Sequence, residues 1–319
     1  MKAIVVEQFG EPDVLQLQER PTPRPGPGQV LVRLAAVGIN PVETYIRSGS
    51  YAVKPELPYT PGTDGAGTVE AADAATGFRP GERVYLSDSI TGTYAEYALC
   101  QASHLHPLPD RLTFAQGAGV GVPYGAAYRA LVQRGGGRAG ETLLVHGASG
   151  SVGIAAVQIG KALGLRVLGT AGTPEGLQRI RDEGAEEAFD HHDPGYTEKI
   201  AAATGGQGVD LILEMLANVN LPKDFELAAR CGRIVIVGTR GKVEIDPRRT
   251  LLKELDVRGM SLPKASPEEA RAIHAALGAG LAAGTLRPLI GREFPLAEAA
   301  ESHRAVMKAG SGGKIVLIP

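Results

Sequence analysis

The chain has 319 residues, 43% of them hydrophobic, and its 33 Lys and Arg residues against 35 Asp and Glu residues give a net charge of −2. This length and apolar content suffice for two domains with separate cores, which excludes disorder as the main state. A near-neutral charge without a basic block gives no electrostatic footprint for a dedicated nucleic-acid-binding protein or a polybasic membrane anchor, so we expect a small-molecule partner.

Targeting segments and disulfides are not predicted either. The first apolar run, residues 3–6, ends at Glu7 and is too short for the core of a signal peptide, and nowhere do 18 uncharged apolar residues follow one another. The two cysteines, Cys100 and Cys231, lie far apart in the sequence and cannot make a disulfide framework or a four-cysteine zinc site. We therefore expect a cytoplasmic protein with no membrane association.

Residues 1 to about 110 predict a domain dominated by β-structure. Short strands are expected over 3–7, 30–37, 67–71 and 83–86, and turn residues such as those of the Pro-rich segment 21–28 separate them.

From about residue 121 the pattern changes to alternating strands and helices. Strands are predicted over 142–146, 166–169, 209–213 and 233–237, and helices over 152–163 and 174–183. This alternation is typical of a doubly wound parallel sheet, so the fold class is α/β. A later helix over 267–283 precedes a last strand over 314–318, which we expect to return to the first domain.

A glycine-rich turn between a buried strand and a helix predicts a dinucleotide site. Ala148, Gly150 and Gly153 occupy the three positions of the G-x-G-x-x-G motif. At these positions Gly150 lets the backbone approach a pyrophosphate, Gly153 lets helix and strand pack closely, and the helix N-terminus faces the negative charge. A turn without a ligand is the alternative, but the strand and helix context favours nucleotide binding.

The end of the next strand favours NADPH over NADH. An acidic side chain there would bind the ribose hydroxyls of NADH, and the segment 168–173 has none, although Glu175 follows closely. The Gly172 amide, Arg179 and His191 are candidates to hold a 2′-phosphate instead.

Four long blocks of residues, 38–49, 92–98, 144–150 and 214–220, resemble the zeta-crystallin-like quinone reductases. That family is a zinc-free branch of the medium-chain dehydrogenase/reductase superfamily. The resemblance covers essentially the whole chain and implies a GroES-like β-rich domain, a Rossmann domain and a cleft between them that holds NADPH and a quinone. We therefore expect the GroES-like domain over 1–119, the Rossmann domain over 120–262 and a return segment over 263–319.

The resemblance also implies the residues of the site. Asn40 and Tyr45 would face the nicotinamide, although Asn40 could instead only cap its turn and Tyr45 could only support one. On its own chemistry Tyr51 is a candidate proton donor because a phenol can donate, and a solvent-exposed loop tyrosine is the alternative. These three are the candidate catalytic residues. The residues implied to contact the cofactor are Tyr45, Ser149, Gly150, Ser151, Val152, Gly172, His191, Asn220, Val237, Gly238, Thr239, Arg240, Met260, Ser261 and Leu262. Asn220 is expected on a short loop after its strand.

No metal is expected at the positions where zinc dehydrogenases of the superfamily carry a ligand Cys and a ligand His. Asn40 and Thr63 stand there, and neither is a usual zinc ligand. Without a zinc ion to polarise a carbonyl, the acceptor must take hydride readily, as a quinone or an activated alkene does.

Two alternatives to quinone reduction remain open. An enoyl-thioester or alkenal double-bond reductase would share the fold and cofactor, and Tyr51 is the residue that favours it. A dinucleotide-dependent RNA-binding or structural protein would need a basic groove with aromatic side chains, which a net charge of −2 and 5% aromatic residues do not indicate. The resemblance implies a homodimer or homotetramer, and the apolar strand over 233–237 would suit contact at a Rossmann-domain edge.

Overall fold

A computed structural model describes residues 1–308, Gly310 and 312–319. The strands of this described part are, in chain order, β1 (Lys2–Val5), β2 (Gln16–Glu19), β3 (Gln29–Ile39), β4 (Asp64–Ala72), β5 (Arg83–Leu86), β6 (Tyr97–Gln101), β7 (Leu105–Pro107), β8 (Thr142–Val145), β9 (Arg166–Ala171), β10 (Glu187–Asp190), β11 (Val209–Glu214), β12 (Ala228–Ile236), β13 (Asp256–Gly259), β14 (Ile290–Pro295) and β15 (Lys314–Ile318).

The helices alternate with these strands most regularly in the middle of the chain. They are α1 (Pro41–Arg47), α2 (Phe114–Gly117), α3 (Gly121–Tyr128), α4 (Ser151–Ala162), α5 (Pro174–Glu183), α6 (Tyr196–Ala203), α7 (Ala217–Leu227), α8 (Arg248–Lys253), α9 (Pro267–Ala283) and α10 (Ala299–Val306). A π-helical segment, Arg129–Arg134, continues α3, and short 3₁₀ turns form at Pro12–Val14, Ala74–Thr76, Ala102–His104, Leu262–Lys264 and Leu296–Glu298.

The chain forms two compact units. The first consists of Met1–Val122 and Pro288–Pro319, and the second consists of Pro123–Arg287. The return to the first unit therefore begins at Pro288, later than the predicted position 263. Helix α9 belongs to the second unit because Arg129 pairs with Glu269 at 2.8 Å and Gln133 donates to the Glu269 carbonyl at 3.0 Å.

The first unit is built on a seven-stranded, mostly antiparallel sheet. Its strands follow the order β14-β15-β3-β4-β5-β7, and β6 pairs with β3 beside that path. The predicted return of the last strand is confirmed: β15 runs antiparallel to β3, with Ile315 opposite Ile39 and Leu317 opposite Val37. Alternate residues of these strands, including Val32, Leu34 and Ile315, form the apolar core of the unit.

The second unit is the predicted doubly wound sheet. Its six strands are parallel throughout, in the order β10-β9-β8-β11-β12-β13. Apolar residues such as Leu144, Leu168 and Ile212 are fully buried, as expected for strands covered on both faces. The segment 233–237, predicted to suit an edge, lies inside the sheet because β12 pairs with β11 on one side and with β13 on the other.

The helix limits that the sequence predicts best are those with strong capping residues. Helix α9 begins after Ser266, whose hydroxyl accepts from the Glu269 amide, and ends before Gly284 in a left-handed conformation. Helix α5 begins after Thr173, which caps the Gly176 amide. None of the described helices is both long enough and apolar enough to cross a membrane.

Candidate functional site

The predicted cofactor residues of the second unit lie at one edge of its sheet, the edge formed by the carboxyl ends of its parallel strands. Each of the six parallel strands is followed by a segment that carries or adjoins such residues. In the spatial order of the strands, these segments hold His191, Gly172, the turn Ser149–Val152, Asn220, Val237–Arg240 and Met260–Leu262. Open α/β sheets bind their ligands at the carboxyl ends of the strands, so the fold brings these residues to the expected edge.

The glycine-rich turn has the geometry of a pyrophosphate cradle. Gly150 is the residue before α4, and in the described structure no side chain caps this helix start, so the first amides of α4 have no capping partner there. A β-carbon at Gly150 would meet only the Gly147 carbonyl, at 3.5 Å, which leaves room for a ligand. A β-carbon at Gly153 would lie 2.5 Å from the Ala148 Cα, so Gly153 is needed for the turn itself. The residues therefore fit a dinucleotide phosphate.

Two imidazoles meet at the end of β9. A β-carbon at Gly172 would lie 2.6 Å from His191 Nε2 and 2.7 Å from His192 Nε2, and the two rings stack edge to face with centroids 4.6 Å apart. Partial burial and the neighbouring His192 lower the pKa of His191. Both rings can donate to an anion beside Gly172, the position where the sequence predicts the 2′-phosphate. His192 is the member of this pair that the sequence analysis did not assign.

The segments after β11 and β12 hold each other in place. The Val237 amide donates to the Glu214 carbonyl at 2.9 Å, and the Ala217 amide donates to the Gly238 carbonyl at 3.0 Å. Asn218 accepts the Arg240 amide at 2.9 Å, and it is another residue of this edge that the sequence analysis did not assign. The short hydrogen-bonded loops therefore fix the backbone at Val237–Arg240.

The expectation for Asn220 needs a correction. It lies on α7, which begins at Ala217, and not on a loop, because the chain turns into the helix directly after Glu214–Leu216. Its carboxamide donates to Glu214 Oε1 at 3.2 Å.

A buried cluster of three ionisable residues lies at the same edge. His146 follows β8, Glu214 ends β11 and Asp224 is on α7, and all three are at most 1% exposed. His146 Nε2 lies 2.8 Å from Asp224 Oδ1 and 3.8 Å from Glu214 Oε2. Burial raises the pKa of Glu214 to about 7. Burial alone would lower the pKa of His146, but the neighbouring carboxylates of Asp224 and Glu214 outweigh it and raise that pKa above its usual value. Sequence analysis missed this cluster, because its members are distant in the chain.

In the first unit, α1 carries the predicted aromatic residue Tyr45. Tyr45 is half-buried, and its carbonyl accepts the amides of Ser50 and Tyr51 at 3.0 and 3.1 Å. Tyr51 is 37% exposed, on the turn that follows the helix. The structure therefore joins these two residues through the backbone, and it leaves the phenol of Tyr51 open to solvent.

Asn40 is buried in the first unit, and the described contacts of its side chain are with residues of that unit. Its Oδ1 accepts from Lys314 Nζ at 2.6 Å, and its Nδ2 donates to Asp64 Oδ2 at 3.0 Å and, more weakly, to Glu43 at 3.4 Å. The Lys314 ammonium also lies 2.7 Å from Asp64 Oδ2. These groups engage both amide donors, so Asn40 has a structural role at the start of α1.

A second buried chain of hydrogen bonds continues from Glu43. Tyr94 donates its hydroxyl proton to Glu43 Oε2 at 2.7 Å, and His303 Nε2 lies 2.9 Å from the same hydroxyl. Burial raises the pKa of Glu43 and, together with the Arg47 charge, lowers the pKa of His303 to about 3. His303 is therefore neutral, and its Nε2–H donates to Tyr94.

Comparisons with known proteins match both units of the chain. A family model described as "Alcohol dehydrogenase GroES-like domain" matches residues 26–110, and one described as "Zinc-binding dehydrogenase" matches residues 151–277. The quinone oxidoreductase of Homo sapiens is 49% identical over 100% of this chain and 98% of its own length.

Solved structures show the same likeness. The quinone oxidoreductase of Thermus thermophilus, also determined in complex with NADPH, has a TM-score of 0.85 and 33% identity, with both chains fully covered. A structure described as an NAD-dependent alcohol dehydrogenase has a TM-score of 0.92 and 28% identity, again with both chains fully covered.

Proposed function

The chain belongs to the quinone oxidoreductases of the medium-chain dehydrogenase/reductase superfamily, and from this premise we propose that it reduces quinones with NADPH and without zinc. The observation that carries the proposal is the uncapped start of α4 behind Gly150, at the sheet edge that also gathers the other predicted cofactor residues of the second unit.

NADPH is proposed over NADH because of the end of β9. Gly172 stands there with His191 and His192 beside it, and these side chains can donate to a 2′-phosphate. The structural relative from Thermus thermophilus was determined with NADPH, whereas another similar structure is described as NAD-dependent. The preference for NADPH is therefore proposed from the residues of this chain.

Zinc independence is proposed because Asn40 and Thr63 stand at the positions where zinc dehydrogenases of the superfamily carry their Cys and His ligands. Neither the Asn40 carboxamide nor the Thr63 hydroxyl is a usual zinc ligand. The Lys314 ammonium already donates to Asn40 Oδ1 and Asp64 Oδ2, so these oxygens are engaged by an internal cation and are not free to bind a metal ion.

The protein's contribution to the reaction is binding and orientation. Bound NADPH supplies the hydride for the two-electron reduction. The α4 amides and the Gly172 region would hold the phosphates of NADPH, and the segments Val237–Arg240 and Met260–Leu262 would line its nicotinamide. An acceptor that takes hydride readily needs no essential general base, and protons reach the product from solvent or from Tyr51.

Reduction of an activated alkene is the second candidate. The exposed hydroxyl of Tyr51 favours it, because such a reaction places a proton on the carbon opposite the one that receives the hydride.

One titration series tests the proposal. NADPH and NADH are titrated side by side by calorimetry, and 1,4-benzoquinone, 9,10-phenanthrenequinone and a 2-alkenal are then added with the cofactor that binds. Tight NADPH binding with quinone turnover is the expected result. Turnover of the alkenal alone would favour the second candidate, and failure to bind either cofactor would overturn the assignment.

A further inference from the structure

The buried cluster of His146, Glu214 and Asp224 has no role in the reaction described above. Its ligand-type atoms all lie within 4.8 Å of one another. His146 and Asp224 are already joined by a direct hydrogen bond of 2.8 Å, so the cluster is internally paired. Because all three side chains are at most 1% exposed, they cannot touch a quinone. Any effect on the reaction must pass through a neighbour.

Glu214 contacts such a neighbour with one of its two oxygens. Oε1 accepts the Leu216 amide and the Asn220 carboxamide, the latter at 3.2 Å. Oε2 faces His146 instead, and among the described residues it has no hydrogen-bond partner. A proton on this carboxyl group would therefore lie on Oε2, and Oε1 would remain free to accept.

His146 links the cluster to the glycine-rich turn. Its Nδ1 lies 3.5 Å from Thr170 Oγ1, and that hydroxyl accepts the Gly147 amide at 3.1 Å. His146 also directly precedes Gly147 in the chain. One continuous set of contacts thus runs from the turn, through His146 and Glu214, to Asn220.

We propose that Glu214 is a positioning residue for the cofactor: it fixes the carboxamide of Asn220 at the sheet edge, and His146 and Asp224 hold Glu214 in place. This inference rests on the proposed function, in which Asn220 contacts NADPH. The physical reason is that a half-buried carboxamide on a helix still has several rotamers, whereas an acceptor anchored in a buried cluster selects one of them before the ligand arrives.

A double-mutant cycle with Asn220 tests whether Glu214 acts through it. The variants are Glu214→Ala, Asn220→Ala and their double variant, and the measurement is the NADPH Kd by calorimetry. Each single change is expected to raise the Kd about tenfold, the cost of one lost hydrogen bond. The double variant is expected to stay within about threefold of the weaker single variant, where independent effects would multiply to about a hundredfold.

A conservative variant separates positioning from general support of the fold. In Glu214→Gln, Oε1 still accepts both hydrogen bonds, and the new amide can donate toward Asp224 Oδ2, which has no partner among the described residues. This variant is expected to restore most of the affinity lost in Glu214→Ala. Glu198→Ala, an exposed acid on α6, is the matched control, and a thermal melt of each variant checks that it is folded.

The outcomes distinguish this inference from the proposed function. If the wild-type protein binds no NADPH, the proposed function fails and the inference fails with it. If the wild-type protein binds NADPH but Glu214→Ala binds it equally well, or if the two single effects multiply, the positioning role is wrong and the proposed function stands. A Glu214→Gln variant as weak as Glu214→Ala would also overturn the role.

Discussion

Lys314 Nζ lies 2.7 Å from Asp64 Oδ2 in the core of the first unit, and both side chains are at most 1% exposed. Lys314 opens β15 and Asp64 opens β4, so the ion pair joins two strands that both flank β3. Asp64 Oδ1 also accepts the Val122 amide at 2.7 Å, which uses the second carboxylate oxygen. Both carboxylate oxygens of Asp64 therefore accept hydrogen bonds and the Lys314 ammonium donates two, and such additional hydrogen bonds are what make a buried charge pair tolerable.

Removal of the cation should strongly destabilise the chain. Lys314→Met leaves the Asp64 carboxylate buried without its counter-charge, and we expect the free energy of unfolding to fall by about 3–5 kcal/mol. A denaturant titration monitored by circular dichroism measures this change. The control is Lys2→Met, which removes an exposed lysine. A loss no larger than that of the control would contradict the role of the pair. Asp64→Asn added to Lys314→Met should recover part of the loss.

Two glycines of the same turn should respond differently to alanine. In Gly150→Ala the new methyl group meets only the Gly147 carbonyl at 3.5 Å, so the melting temperature should hardly change while the NADPH Kd rises at least about tenfold. In Gly153→Ala the methyl group would overlap the Ala148 backbone, so the fold itself should be destabilised by about 1–3 kcal/mol. Equal melting temperatures for the two variants would count against this assignment of the turn.

His191 should determine the preference for NADPH. His191→Ala is expected to lower the ratio of the NADH Kd to the NADPH Kd about tenfold, because it removes a donor from the proposed 2′-phosphate position. Since the pKa of His191 lies below its usual value, the ring is neutral at pH 7 and takes up a proton when the phosphate binds. NADPH affinity should therefore rise from pH 8 to pH 6, while NADH affinity should not.

Calorimetry with both cofactors at each pH measures these changes. His104→Ala is the control, because His104 is a partly exposed histidine of the first unit. A preference for NADPH that survives His191→Ala at every pH would refute this role.

The Glu214 cluster should make the second unit more stable in mild acid. Both Glu214 and His146 have a pKa above the usual value, so the folded state binds more protons than the unfolded state in this range. For Glu214 the stabilisation is complete below about pH 4.5 and is lost as the pH rises to about 7; for His146 the loss begins near pH 6.5. The shift of Glu214 corresponds to at most about 3 kcal/mol.

Comparison of wild-type protein with Glu214→Gln isolates this contribution from other titrating groups. The wild-type free energy of unfolding should fall more steeply than that of the variant between pH 5 and pH 7. Parallel pH profiles would show that Glu214 titrates near its usual value in the folded protein.

Tyr51 should distinguish the two candidate reactions. Tyr51→Phe removes the exposed hydroxyl and is expected to lower alkenal reduction, if this protein carries it out, by about 10²-fold, with quinone reduction retained. Rates with 9,10-phenanthrenequinone and a 2-alkenal measure the effect, and Tyr97→Phe on β6 serves as control. Equal losses with both acceptors would assign Tyr51 to binding rather than to proton donation.

Local signals in the sequence are enough to predict the β-rich fold of the first unit and the doubly wound sheet of the second, but not the buried polar clusters. The limits of α5 and α9 agree with prediction because Thr173 and Ser266 cap the helix starts. The short helix α1 was missed, since its seven residues leave little periodic pattern. His146 and Asp224 are 78 residues apart, and Lys314 and Asp64 are 250 residues apart. Such pairs depend on tertiary packing, which no local pattern encodes.

The position of Lys314 on β15 has a consequence for synthesis of the protein on the ribosome. Met1–Val122 leave the ribosome with Asp64 but without its counter-charge, and Pro123–Arg287, which are continuous in sequence, emerge before Lys314 does. Because domains fold as units while the chain is made, the second unit can complete its sheet first. The first unit can bury Asp64 as part of an ion pair only after β15 has been synthesised.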